Sequence, residues 1–154
     1  MDSDKAPAAD LTIRVMTQND LENVSAIERE ASPIPWSKDT FISELNAAMS
    51  RNLVAVLNGT IVGYIGFWIV ADEVQIQNVI VDKEYRGRGI ASRLLNSMVE
   101  IARSKGMLNA TLEVRSANKS AISLYVKNGF VVKGVRRKYY DNDGDDALIM
   151  WTDL

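Results

Sequence analysis

One stretch of this chain constrains its fold more than any other: Asn78-Val79-Ile80-Val81-Asp82-Lys83-Glu84-Tyr85-Arg86-Gly87-Arg88-Gly89-Ile90-Ala91. An apolar strand runs into a short basic turn, and the turn opens directly into an amphipathic helix. That helix carries Ile90, Leu94, Met98, Ile101 and Ala102 at helical spacing. Glycines in the turn let backbone N–H groups approach a ligand closely. A helix N-terminus adds unpaired donors and the positive end of the helix dipole. Arg86 and Arg88 add charge, so the turn suits a phosphate or pyrophosphate. It is not a Walker loop, because no Gly-Lys-Ser/Thr follows at the right spacing, and it is not a dinucleotide G-x-G-x-x-G turn.

The rest of the chain reads as strands and helices in a definite order. Residues 11–16 alternate Leu11, Ile13 and Val15 with polar residues, which predicts a strand. Thr17 can cap a helix over 18–31, with Leu21, Val24, Ile27 and Ala31 on one face. Ser32-Pro33-Ile34-Pro35-Trp36 breaks it, and Ser37 can cap a second helix carrying Phe41, Ile42 and Leu45. Asn58-Gly59 is a hairpin turn signal between β-rich runs at 52–57 and 60–70, and a third run at 73–82 completes an antiparallel meander. Gly106 ends the helix after the basic turn. A strand over 108–115, a helix over 118–128 stopped by Gly129, and strands at 130–137 and 146–152 follow. The order β-α-α-β-β-β-α-β-α-β-β predicts a mixed α/β sandwich without repeats or linkers. Residues 1–10 read as a flexible tail and 11–154 as one domain.

Composition excludes several chemistries. The chain has no cysteine and no histidine, which removes disulfides, thiolate nucleophiles and the commonest metal ligands and general bases. Acid–base work falls to carboxylate, Tyr, Lys, a terminal amine or water. A net charge of −2 over 154 residues gives no general attraction to nucleic acid. The longest apolar run, 61–71, is too short to span a bilayer, and the first residues show no basic and apolar leader pattern. A cytoplasmic protein with no membrane and no nucleic-acid partner is expected.

A second pattern lies downstream: Leu112-Glu113-Val114-Arg115-Ser116-Ala117-Asn118, then Ala121, Leu124-Tyr125 and Asn128-Gly129-Phe130. It resembles the L-E-V-R-x-S-N-x-x-A-x-x-L-Y-x-x-x-G-F signature of GNAT protein N-terminal acetyltransferases. Arg86-x-x-Gly89-x-Ala91 likewise resembles the Q/R-x-x-G-x-G/A pyrophosphate turn of that superfamily. Pro35-Trp36-Ser37 with Phe41, the run 136–140 and the run 146–150 extend the likeness to the RimI type, which acetylates a ribosomal protein's N-terminal alanine, and to archaeal relatives. The one departure is Arg-Ser-Ala-Asn, with Ser and Ala exchanged against the commoner order; Asn118 keeps its place.

The resemblance implies a GNAT fold, with a mostly antiparallel mixed sheet flanked by helices, acetyl-CoA as donor, an amine as acceptor and no metal. It implies that the backbone of Val79, Ile80 and Val81 holds the pantetheine arm. The pyrophosphate would sit on Gly87, Gly89, Ile90, Ala91 and Ser92, aided by Arg86 and Arg88, with Asn118 touching the cofactor as well as capping its helix. It casts Glu113 as the general base, acting directly or through water, and Tyr125 as the acid beside the sulfur. Without it, Glu113 is a solvated carboxylate on the polar face of its strand, and Tyr125 is a core residue with Ile122 and Val126. Trp36, Tyr139 and Tyr140 would form the peptide slot, though Trp36 also fits the core. If extended, Tyr139 and Tyr140 point to opposite sides. The acidic loop 141–146 reads as a solvated hairpin tip or an attractant for a cationic N-terminus, including that of a ribosomal protein. A lysine or small-amine acetyltransferase shares the donor site and stays open. So does a non-catalytic acyl-CoA-binding protein, although binding alone needs neither Glu113 nor Tyr125.

Overall fold

The computed structural model describes residues 10–140 and 144–154. The expected tail therefore lies, apart from Asp10, outside the described residues, as does the tip 141–143 of the acidic loop. Among the described residues seven strands form one sheet: β1 (Leu11–Val15), β2 (Ser50–Leu57), β3 (Thr60–Val70), β4 (Glu73–Val81), β5 (Asn109–Arg115), β6 (Val131–Arg136) and β7 (Ala147–Asp153). Four α-helices accompany them: α1 (Leu21–Ala31), α2 (Lys38–Asn46), α3 (Ile90–Ser104) and α4 (Lys119–Lys127). The spatial order is β1-β2-β3-β4-β5-β7-β6, and among these described strands only the β4–β5 pair is parallel. This is the mixed, mostly antiparallel α/β architecture expected from the sequence.

Local signals act as physics requires. Asn58 and Gly59 both take positive φ, 50° and 81°, as a tight hairpin between right-twisted strands demands. The Ser37 side chain accepts the Thr40 N–H at 3.1 Å and starts α2. The first expected helix is split: Gln18–Asp20 form a 3₁₀ turn, and the α-helix begins at Leu21. Asp20 accepts two hydrogen bonds from Arg14 at 2.7 and 2.8 Å, and this pairing holds its carboxyl down to about 2.

The sheet lies between two apolar clusters. Leu21, Val24 and Ile27 of α1 and Phe41 of α2 pack with Val54, Ile61 and Tyr64. Ile90, Leu94, Leu95, Met98 and Ala102 of α3 pack with Leu53, Ala55, Val62 and Ile65, and Tyr125 of α4 joins them. Adjacent strand residues point to opposite faces, so the split of Val54 from Ala55 and of Ile61 from Val62 separates the clusters. Each fully buried side chain of this size contributes about 1.5–3 kcal/mol. The face expected for α4 is corrected at one position. Tyr125 is buried and Ile122 half-buried, but Val126 is 55% exposed, because it lies about 100° around the helix from Tyr125 and past the edge of the contact.

Candidate active site

The central cleft follows from how β4 and β5 part. They pair only through Glu73↔Asn109, Val74↔Ala110 and Gln75↔Thr111. Just beyond, β4 carries a bulge: Gly66 of β3 faces Asn78 while the next residue, Phe67, faces Ile76, leaving Gln77 unmatched. A bulge bends its strand and increases local twist. From there residues 76–81 and 112–115 diverge, and the β4 edge toward β5 keeps backbone donors and acceptors that no strand uses.

A cavity of about 560 Å³ opens beside the basic turn. It is lined by Val79, Ile80 and Val81 of β4, by Arg86, Gly87, Gly89, Ile90, Ala91 and Ser92, and by Asn118 of the β5–α4 turn. Gly89 caps α3 in the left-handed conformation at φ 77°, and a Cβ there would meet nothing within 4 Å. Asn118 accepts the Ala121 N–H at 3.2 Å. An anion at the start of α3 would meet N–H groups of the first turn, which have no partner inside the helix. A free strand edge leading to a helix N-terminus fits a slender amide-bearing arm ending in a pyrophosphate. Arg88 lies apart from this lining: its guanidinium sits 5.1 Å from the Tyr85 ring centre, and its Nε is buried without a hydrogen-bond partner.

A second cavity, about 1160 Å³, shares Val79, Ile80 and Asn118 with the first. Glu113, Tyr125, Trp36 and Tyr140 all line it. Glu113 is on the polar face of β5, its side chain 31% exposed and 3.3 Å from Arg136 of β6. Tyr125 is 8% exposed, edge-on to Phe130 at 5.7 Å, and burial pushes its hydroxyl up to about 12. Glu113 thus faces the cleft as a partly exposed carboxyl group beside Arg136, and Tyr125 faces it as a phenol that keeps its proton near neutrality.

Trp36 is half-buried, 5.3 Å from Phe41, so it packs on the core and lines the cleft together. Tyr139 and Tyr140 do not point apart. Lys138 takes φ 51° and breaks the extended backbone, and the two rings meet edge to face at 5.2 Å. Tyr140 lies 3.8 Å from the Arg115 guanidinium and its hydroxyl is raised, chiefly by burial. Tyr139 is 46% exposed near Arg136. Both line a third cavity, about 560 Å³, which continues from the second past Glu113. Asp145 and Asp146 are not merely a solvated tip. Ser116 Oγ and Ala117 N–H donate to Asp145 at 2.6 and 3.3 Å, fastening the β6–β7 connection to the β5–α4 turn, and Lys138 N–H donates to Asp146 at 2.8 Å within that connection.

Residues that sequence reasoning did not single out also belong here. Arg136 reaches Glu113 across β7, a neighbourhood that only the order β5-β7-β6 creates. Lys127 lines the first cavity, brought there by the approach of α4 to the start of α3, where Asn128 donates to Ser92 Oγ at 3.2 Å. Nothing in the local sequence distinguishes that lysine from any basic residue closing a helix. Among the described residues no group of three or more His, Cys, Asp or Glu side chains is placed to hold a metal ion.

Comparison with known proteins bears on the fold and the family. The model of the acetyltransferase (GNAT) family matches residues 21–130. A Bacillus subtilis (strain 168) protein, provisionally named a [ribosomal protein bS18]-alanine N-acetyltransferase, is 39% identical over 143 residues, covering 92% of this chain and 95% of its own. The Escherichia coli (strain K12) [ribosomal protein bS18]-alanine N-acetyltransferase is 34% identical, covering 90% of this chain and 95% of its own. The crystal structure of the Escherichia coli ribosomal-protein-S18-alanine N-acetyltransferase superposes with a TM-score of 0.87 at 32% identity, covering 94% of each chain.

Proposed function

Because the chain belongs to the acetyltransferase (GNAT) family, we propose that its cleft joins an acetyl-CoA site at the basic turn to a protein N-terminus held beside Glu113 and Tyr125. The protein is an acetyl-CoA-dependent peptide α-N-acetyltransferase. Its acceptor is read as the N-terminal alanine of a ribosomal protein, and its location as the cytoplasm. No helix among the described residues is long and apolar enough to cross a membrane. The observation that carries the reading is the continuity of the cavities: Val79, Ile80 and Asn118 border both, and Glu113 and Tyr125 stand in the second.

Bound acetyl-CoA supplies an activated acetyl thioester. The chain's own residues do the rest. The free edge of β4 at Val79, Ile80 and Val81 orients the donor, and backbone N–H groups from Gly87 to Ser92 hold its pyrophosphate, with Arg86 and Lys127 at the rim. An α-amine has a pKa of roughly 8 and is mostly protonated at neutral pH. Glu113 takes the amine's proton, directly or through one water. Tyr125 presents its hydroxyl to the departing sulfur. A thiolate with a pKa of about 8.5 is a weaker base than the buried phenolate, so hydrogen bonding by Tyr125 serves without complete proton transfer. Trp36, Tyr139 and Tyr140 border the path of the peptide.

The test is a peptide panel. Purified protein with acetyl-CoA is expected to acetylate a free N-terminal alanine peptide and release CoA. It should ignore the same peptide when the N-terminus is blocked and a lysine is present. Equal turnover of the blocked peptide would overturn the α-amine assignment. Tight CoA binding without turnover of any amine would overturn the enzyme.

The donor site has its own test. Gly89→Asp is expected to weaken acetyl-CoA binding in calorimetry far more than it lowers the melting temperature. A Cβ has open space there, and although the left-handed φ of 77° strains any side chain, aspartate is among the residues that visit that region, so the cost to the fold should stay at about 1–2 kcal/mol. Two unit charges 4 Å apart repel by about 1 kcal/mol in water and about 4 near a protein surface, so affinity should fall roughly 5- to 10³-fold. Unchanged affinity would remove this turn from the site.

A further inference from the structure

We propose that Glu28, a buried carboxylate of α1, is a positioning residue that sets the wall of the acceptor slot by clamping the α1–α2 connection to β4. The proposal rests on the acceptor reading above. Glu28 is 2% exposed and faces away from the solvent side of its helix. One carboxylate oxygen accepts the Trp36 backbone N–H at 2.8 Å. The other accepts the Asn78 side-chain amide at 3.0 Å. Both donors are neutral. A desolvated carboxylate is expensive unless hydrogen-bonded, and here two donors from separate elements satisfy it.

The two donors belong to opposite parts of the slot. Pro33, Pro35, Trp36 and Thr40 line the cleft from the α1–α2 side, and Asn78 lines it from β4, beside the bulge where β4 leaves β5. Residues 32–37 form no helix or strand, and their prolines supply no N–H. Little else in the connection therefore fixes it to the sheet by backbone hydrogen bonding. The Trp36 amide does so through Glu28, while the exposed pair of Lys38 with Glu22 ties the helices only at the surface. Glu28 does not line any of the three cavities, so it acts through Trp36 and Asn78 and not on substrate.

Geometry, not charge, is the substance of this clamp. Glu28→Gln can keep both bonds: the amide oxygen accepts from Trp36, and the amide nitrogen donates to Asn78 once that side chain flips. Glu28→Ala removes both bonds. Glu28→Asp keeps the charge but withdraws it by one methylene, and it covers the case in which Glu28→Ala does not fold. The expected result is a split. In Glu28→Ala and Glu28→Asp the peptide KM rises by about tenfold or more, tenfold corresponding to about 1.4 kcal/mol of peptide binding lost when the slot wall at Trp36 shifts. Their kcat and acetyl-CoA affinity stay near wild type. Glu28→Gln stays within about twofold of wild type on all three. Hydrogen exchange by NMR gives a readout without substrate: the Trp36 amide is protected in wild type and Glu28→Gln and exchanges fast in Glu28→Ala or Glu28→Asp. An unchanged peptide KM in Glu28→Asp, a Glu28→Gln as impaired as Glu28→Asp, or a fast-exchanging Trp36 amide in wild type would each overturn the proposal. A wild type that acetylates no peptide would overturn the acceptor reading instead, and Trp36 exchange would still decide the clamp.

Discussion

In Glu113→Gln the single-turnover rate at neutral pH is expected to fall by about 10²–10⁴-fold, the usual contribution of a general base. The substitution keeps the shape of the side chain and removes only its capacity to take a proton. Acetyl-CoA affinity should stay near wild type, because Glu113 lines the second cavity and not the one beside the basic turn. Stability should change little. The Arg136 pair that is lost is partly exposed, and such pairs contribute about 0–1 kcal/mol. The pH profile gives the sharper reading. Above roughly pH 8 most of the amine is already neutral, so the deficit of the variant should shrink as pH rises. A constant deficit from pH 6 to 10 would mean that Glu113 positions the amine without deprotonating it, and a wild-type rate would return it to the solvated face of its strand. Single-turnover measurement is the proper test, because slow product release would mute a steady-state rate.

Tyr125→Phe is expected to cost a comparable factor, about 10²-fold or more, with the opposite pH behaviour. Phenylalanine keeps the ring that packs edge-on to Phe130 at 5.7 Å, so the α4 contact survives. Only the hydroxyl is lost. Burial holds that hydroxyl's pKa up to about 12, so it stays protonated through the working range. Neither the role nor its loss should therefore titrate below pH 10, and the deficit should be the same at pH 7 and pH 9. It should also follow the leaving group: a donor ester whose departing group is a weaker base needs less help and should narrow the gap. A deficit that closes at high pH would connect Tyr125 to the amine. Wild-type single-turnover rates would leave it a core tyrosine.

Much of the fold was legible because its signals are local. The Asn58-Gly59 turn, the Ser37 cap, the alternation in β1 and β5 and the apolar stripe of α3 each depend on residues a few positions apart. Gly89 belongs with them: a left-handed residue opening a helix is a demand of the immediate backbone. Boundaries moved by a residue or two, and the start of α1 became a 3₁₀ turn, because helix ends are settled by partners such as Arg14 on Asp20 that lie outside the helix. The roles of Glu113 and Tyr125 came from resemblance to a family. Periodicity by itself gave a polar strand position and a core tyrosine, and both of those statements are also true of the structure.

The site itself is a product of long-range geometry. Trp36, Asn78, Glu113 and Tyr125 meet only because β4 bends at its bulge and parts from β5 after three paired residues, and no short window of sequence encodes that divergence. Arg136 reaches Glu113 through strand order, and Tyr139 turns onto Tyr140 because Lys138 adopts a positive φ within a loop fastened by Asp145 and Asp146. Glu28 is the clearest case. Within its helix it is one more glutamate among Glu22 and Glu30, and burial against two neutral donors, eight and fifty residues away, is what distinguishes it. By itself the sequence determined the order of the elements, the glycine turn with its anion-ready helix start, and the absence of histidine and cysteine chemistry, because each follows from neighbouring residues or from composition. The tertiary structure alone decided which carboxylates face water, a cation or neutral amides, because that depends on which distant segments the sheet brings to each side chain.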